Sequence, residues 1–184
     1  MTEIHELGPI TIEVGRPNAD EYDPAFAGYV ARLEDDESVV TVLSDQIDGV
    51  ACRFSGAAET RGDYRYAPGK WTVKEVIGHL SDTERVFTYR ALRIGRGDAT
   101  ALPGFDDQSY VLQMQAEDLS LAGAVRDWQA VRAATLTLFR NLPSAAWQRC
   151  GTASGHPASV RALAYIIAGH TRHHLEVIDE RYGE

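Results

Sequence analysis

The chain carries six histidines, and three of them fall within five positions of one segment, GHTRHHLEV (residues 169–177). At about 100° per residue, Leu163, Ile166, Ile167, Val177 and Ile178 define one apolar helix face. His170 and His174 lie near the middle of that face, and His173 is rotated roughly 80° towards its edge. A polar imidazole at the centre of an apolar seam must find a hydrogen bond or a ligand there. Two of them one turn apart have the spacing by which a helix presents a pair of metal ligands. A third ligand would come from another helix. His79, in VIGHLSDTERV, stands on the flank of the stripe Val76, Leu80 and Phe87, and could meet the pair if the two helices match in depth. The competing expectation is three hydrogen-bonded core histidines, with His173 as a weaker i, i+3 partner. His5 reads as a solvated residue of the N-terminal segment, and His156, between Gly155 and Pro157, as a loop residue.

Two metal chemistries are excluded by the residues that flank these histidines. Thr171, and not Glu, follows His170, so the H-E-x-x-H metalloprotease pattern is absent. The E-x-x-H pairs of di-iron bundles are also absent, because Glu75 precedes His79 by four positions. A single ion held by three imidazoles remains, an open arrangement that leaves coordination positions free. Imidazole suits zinc, nickel, copper or iron. Asp82, Glu84, Glu176 and Asp179 are candidates to accept from an imidazole N–H, or else solvated charges and surface ion pairs. Phe105, Asp106 and Asp107 could line the mouth of a pocket.

Helices must position these groups, and their signals are clear. Apolar residues Val39, Val42, Leu43, Ile47 and Val50 recur at intervals of three and four after the acidic run Asp35–Glu37, which predicts a helix ending near Gly56. Thr72 and Glu75 form a T-x-x-E capping box for a second helix running to about Gly95. A third helix is expected from about Ser120 to Leu142, ended by Pro143, and a fourth from Ser159 to about Arg181. Residues 57–70, 97–110 and 143–157 read as loops, dense in Gly, Pro and Asp. Residues 1–34 read as an irregular arm packing on the bundle, with one short strand at Ile10, Ile12 and Val14 and a short helix near Phe26–Leu33. The fold class expected is all-α, a four-helix bundle with long connections over residues 35–184.

Composition narrows the partners. A net charge of -9 over 184 residues argues against nucleic acid, which requires a basic surface. Cys52 and Cys150 are too few for a disulfide framework. No apolar run approaches a membrane span, and the acidic N-terminus lacks the order of a signal peptide, so a cytoplasmic protein is expected.

The stretch from Trp71 to Glu84, W-T-x-x-E-x-x-x-H-L-x-D-x-E, followed by H-x-x-H-H-x-x-x-I from His170 to Ile178, resembles the DinB/YfiT-like superfamily. The flanking segments YRYAPGKW (residues 64–71), RALRIGRGDATALPGFD (residues 90–106) and RALAYIIAGH (residues 161–170) extend the likeness across about residues 35–182. The resemblance implies a four-helix bundle in which His79, His170 and His174 bind a divalent metal, nickel or zinc. It also implies a homodimer.

Relatives of this kind include transferases that join low-molecular-weight thiols such as bacillithiol or mycothiol to electrophiles, and a thiol-dependent isomerase. A metal-dependent enzyme of thiol S-transfer or detoxification type is therefore the first expectation. A metal-dependent hydrolase of a small-molecule substrate is the second, and a non-catalytic, stress-associated metal-binding bundle the third. Asp82 and Glu84 are the candidate bases.

Overall fold

The computed structural model describes residues 14–183. The expected strand at Ile10–Val14 and His5 therefore lie largely or wholly outside the described residues. The chain begins with two 3₁₀ turns, Ala19–Glu21 and Pro24–Phe26, the second running into α1 (Ala27–Val30). Then come α2 (Val39–Arg53), α3 (Glu59–Gly62), α4 (Val73–Gly95), α5 (Asp107–Gln113) and α6 (Leu121–Arg140). Strands β1 (Cys150–Ala153) and β2 (His156–Ser159) precede the last helix, α7 (Val160–Arg181).

Each long helix starts where a side chain satisfies its first free N–H groups. Ser38, Ser120 and Ser159 accept from Thr41, Gly123 and Ala162. Thr72 and Glu75 close both halves of the expected capping box, at 3.2 and 2.6 Å. The acidic run Asp35–Glu37 lies before α2 and not inside it, and Glu37 is bound instead by Arg172 of α7.

The bundle consists of α2, α4, α6 and α7. Helix α2 packs on α6 and α7, and α4 packs on the same two. Side-chain pairs give the directions. Gln46 reaches Ala168 O and Arg53 reaches Leu175 O, so α2 and α7 run parallel. Arg85 pairs with Asp127 and Thr88 with Thr135, so α4 and α6 run parallel. Tyr182, at the end of α7, donates to Trp71 O just before α4, so these two run antiparallel. The topology is up–down–down–up. Its parallel pair α4–α6 demands a connection that travels back the length of α4, about 34 Å at 1.5 Å per residue.

That connection, residues 96–120, is more structured than a loop reading predicts. Leu102 pairs with the hairpin through Leu102 N–H to Thr152 O and Ser154 N–H to Leu102 O. Beyond it, α5 lies against α4 so closely that a Cβ at Gly78 would overlap the Met114 side chain. Residues 150–157, which read as loop, form an antiparallel hairpin together with Ala158 and Ser159. Its two-residue turn, Ser154 (φ 54°) and Gly155 (φ 83°), has both residues left-handed. That is the backbone sense that suits the twist of a tight hairpin. The four-residue strands are too short for an alternation signal to stand out in the sequence.

Two apolar clusters fill the bundle. One gathers Val39, Leu43, Phe87, Phe139, Leu163 and Ile166 with residues of the hairpin and arm. The other gathers Val73, Ile77, Leu80, Leu121, Trp128 and Ile178. Between them lies a polar layer. Arg132 is bidentate to Glu84 (2.7 and 2.8 Å) and also donates to Thr171 Oγ1, Leu43 O and Gln46 Oε1. This buried hub touches all four long helices. Among the described residues, no helix is long and apolar enough to cross a membrane.

Candidate metal centre

His79 sits in the second turn of α4, His170 at the middle of α7 and His174 one turn beyond it. Because α4 and α7 are antiparallel, these positions meet at one depth. His170 Nε2 lies 3.0 Å from His79 Nε2 and 3.0 Å from His174 Nε2. Each residue offers a ring nitrogen within 4.8 Å of the other two. His79 and His170 are buried and His174 is half-buried.

A hydrogen-bonded trio does not account for this geometry. A ring nitrogen carries either one hydrogen or one lone pair, so His170 Nε2 can satisfy one neighbour and not two. One nitrogen of the trio would be left unpaired in an enclosed site, which is costly. Burial lowers the pKa of all three rings: His79 below its usual range, His170 well below, and His174 to about 3. Desolvation is the main cause in each case, and for His170 and His174 the neighbouring imidazoles add to it. The rings are therefore neutral at pH 7, with lone pairs available. Two nitrogens each about 2.0–2.1 Å from a shared ion would stand roughly 3 Å apart or slightly more, which matches the two 3.0 Å separations made by His170 Nε2. The donor set fits a divalent cation.

Neighbouring residues hold the rings. Thr83 Oγ1 is 3.5 Å from His79 Nδ1, at the edge of hydrogen-bond range. Trp71 tilts against His79, with centroids 4.8 Å apart, and Tyr29 of α1 stands edge-on to His170. His173 is not one of the three: its ring packs edge-on against His174, with centroids 5.1 Å apart, and Arg32 donates to its Nδ1 at 2.9 Å. His156, on β2, lies exposed beside Asp23.

The carboxylates expected near the imidazoles are elsewhere. Glu84 is committed to Arg132, Asp82 to Arg85, Glu176 to Arg32 and Asp179 to Arg53. Among the described residues, none of them bonds to His79, His170 or His174. Asp106 caps α5 by accepting from Ser109 N–H.

The cluster opens into a cavity of about 470 Å³. Phe26 and Tyr29 of the arm, Trp71, Phe87 and Phe105 give it an aromatic wall. Asp107 and Arg90 face the same space. Of these, Phe105 and Asp107 were expected at the mouth. Tyr29 carries no signal of its own, and Trp71 and Arg90 stand only within the segments of the family resemblance, although α4 spacing does place Thr83, Phe87 and Arg90 on the side of His79.

The model of the DinB superfamily matches residues 46–178, a span that contains both histidine-bearing helices. The chain belongs to the DinB superfamily. A relative from Geobacillus thermodenitrificans (strain NG80-2), named as a candidate metal-dependent hydrolase, is 21% identical over 149 residues, covering 80% of this chain and 84% of its own. The solved structure of YfiT from Bacillus subtilis, described as a probable metal-dependent hydrolase with an unusual four-helix bundle topology, superposes with a TM-score of 0.70 at 17% identity. It covers 80% of this chain and 89% of YfiT. The up–down–down–up order found here, with α2 opposite α4, is one that a simple chain of hairpins cannot make.

Proposed function

We propose that this chain is a divalent-metal-dependent hydrolase of small molecules, in which His79, His170 and His174 hold the ion. The observation that carries this reading is the convergence of three neutral imidazoles on the wall of a cavity that also contains a carboxylate, Asp107. The name of the Geobacillus relative supports it. When bound, a divalent ion supplies a Lewis acid for a substrate carbonyl or phosphoryl oxygen and acidifies water.

The residues of the chain perform the remaining tasks. Three imidazoles add no negative charge, so the electrophilic character of the centre is preserved. Asp107, on the first turn of α5, accepts a proton at a carboxylate oxygen and can return it to a leaving group. Trp71, Phe26 and Phe87 present apolar surface that sheds bulk water and strengthens the electrostatics inside. Thr83 and Trp71 fix the ring of His79. Glu84, a candidate base in the sequence, is unsuited to that role because both its oxygens are bound by Arg132.

Zinc and nickel are the ions to test first. The test is elemental analysis of purified, untagged protein, followed by assays on panels of esters, amides and phosphoesters, for wild type, His174→Ala and Asp107→Asn. About one ion per chain, lost in His174→Ala, with hydrolysis that falls in both variants, is the expected result. Thiol S-transfer requires a thiol from outside the chain, because Cys52 and Cys150 are exposed and neither lines the cavity. Thiol-dependent loss of an electrophile, with no hydrolysis in any panel, would replace the hydrolase reading. Light scattering on the same preparation tests the homodimer that the family resemblance implies.

A further inference from the structure

Arg90 is only 4% exposed, yet its described polar partners are both uncharged. Its Nη2 donates to Pro103 O at 2.8 Å and to Ser154 Oγ at 2.9 Å. Nε and Nη1 make no hydrogen bond with a described residue. The contrast is Arg132, 0% exposed, whose guanidinium is met by the Glu84 carboxylate. A buried charge without a counter-charge is costly to maintain unless something else repays it.

The setting of Arg90 shows where the missing anion would sit. Phe87 and Phe105 flank the guanidinium, with its central carbon 5.3 and 5.7 Å from their ring centroids. Pro103 O and Ser154 Oγ tie down one nitrogen. The rigid planar fork is thus held by two rings and two acceptors, and it lines the cavity into which the imidazoles open. Arg90 lies three turns beyond His79 on the same side of α4, about 16 Å along the axis. Helical side chains lean towards the N-terminus, so the guanidinium is carried back towards the histidines. Asp107 shares the cavity but forms no ion pair with it.

We propose that Arg90 is a substrate-binding residue that takes an oxyanion, a carboxylate or a phosphate, on small aromatic or apolar substrates whose other end reaches the histidine cluster. The orientation of substrate towards the cluster rests on the proposed reaction there; anion binding at Arg90 does not. A planar guanidinium matches both anions in a bidentate manner. The aromatic wall and the cavity volume suit a ligand of one ring with an acidic substituent. Such a ligand supplies the negative charge that the described protein groups around Arg90 lack.

The test measures binding to metal-free protein, so that it does not depend on turnover. Phenylacetate, phenyl phosphate and the neutral phenylacetamide are titrated calorimetrically into wild type, Arg90→Lys and Arg90→Met. In wild type one of the two acids binds more tightly than the amide, and which acid does so identifies the anion. Arg90→Met weakens that acid roughly tenfold or more and leaves the amide unchanged. Arg90→Lys, which keeps the charge but loses the fork, falls between them. Metal content stays at the wild-type value in both variants, which separates failure of this proposal from failure of the metal reading. Equal affinity of wild type for acids and amide, or an acid affinity indifferent to Arg90→Lys and Arg90→Met in folded protein, would overturn it.

Discussion

Tyr29 stands edge-on to His170, with ring centroids 5.1 Å apart and planes at 74°. The contact joins α1, near the start of the chain, to the centre of the imidazole cluster on α7. It exists because Gly169 has no side chain: a Cβ there would overlap the Tyr29 carbonyl oxygen. Gly169→Ala therefore forces α1 outward. The expected cost is about 1–3 kcal/mol, typical of overpacking. A thermal melt checks the stability loss, and weaker metal retention on dialysis checks the displacement of Tyr29. An unchanged melt would show that α1 is more loosely seated than its contacts suggest.

The imidazoles differ in what their loss should do. Alanine at 79, 170 or 174 removes a nitrogen from the cluster, and metal affinity is expected to fall by more than about a hundredfold, beyond the usual loss for an outer-sphere partner. His173→Ala removes only the ring bound by Arg32, and its metal content should match wild type. Elemental analysis of the four variants decides. Equal losses in all four would contradict the division seen between His173 and the other three.

The Glu84–Arg132 pair is sealed from water, at 3% and 0% side-chain exposure. Breaking it strands one charge in the bundle, so Glu84→Gln or Arg132→Met should each cost about 3–5 kcal/mol. Urea denaturation measures this. The double variant Glu84→Leu/Arg132→Met should recover much of the loss, because no charge then remains unpaired. A double variant as unstable as the sum of the two singles would show that Arg132 acts chiefly through Gln46, Thr171 and Leu43 O.

Glu21 ties the arm to α7 through Arg161, whose Nε donates at 2.7 Å. That hydrogen bond, more than any other cause, brings the Glu21 pKa down from 4.5 to about 2. A lowered folded-state pKa means stability that is fully present above pH 4.5 and is lost as pH falls towards 2. Chemical denaturation between pH 6 and pH 2 should therefore show a decline that is shallower in Glu21→Gln. Parallel curves for the two proteins would rule the ion pair out as a source of acid sensitivity.

Much of the bundle was legible in the chain because its signals are local. Thr72 and Glu75, Ser120 and Ser159 mark helix starts through hydrogen bonds spanning three residues, and the structure starts its helices there. The two histidines at i and i+4 share a face by helix geometry alone. Residues 97–110 and 143–157 read as loop although they hold the start of α5 and most of the hairpin, because elements of four to seven residues have too little periodicity to outweigh nearby Gly, Pro and Asp.

Local signals along the chain thus account for four long helices, their apolar faces and a pair of inward imidazoles on the last. Tertiary structure alone decided that α4 and α7 are antiparallel neighbours, which brings His79 level with His170 across 91 positions of chain. It also decided that Glu84 is consumed by Arg132, while Asp107 and Arg90 face the cavity. The physical reason is common to all of these. A helix forms from contacts within one turn of chain, whereas the depth of one helix against another, and the partner each buried charge finds, follow from packing between segments far apart in sequence.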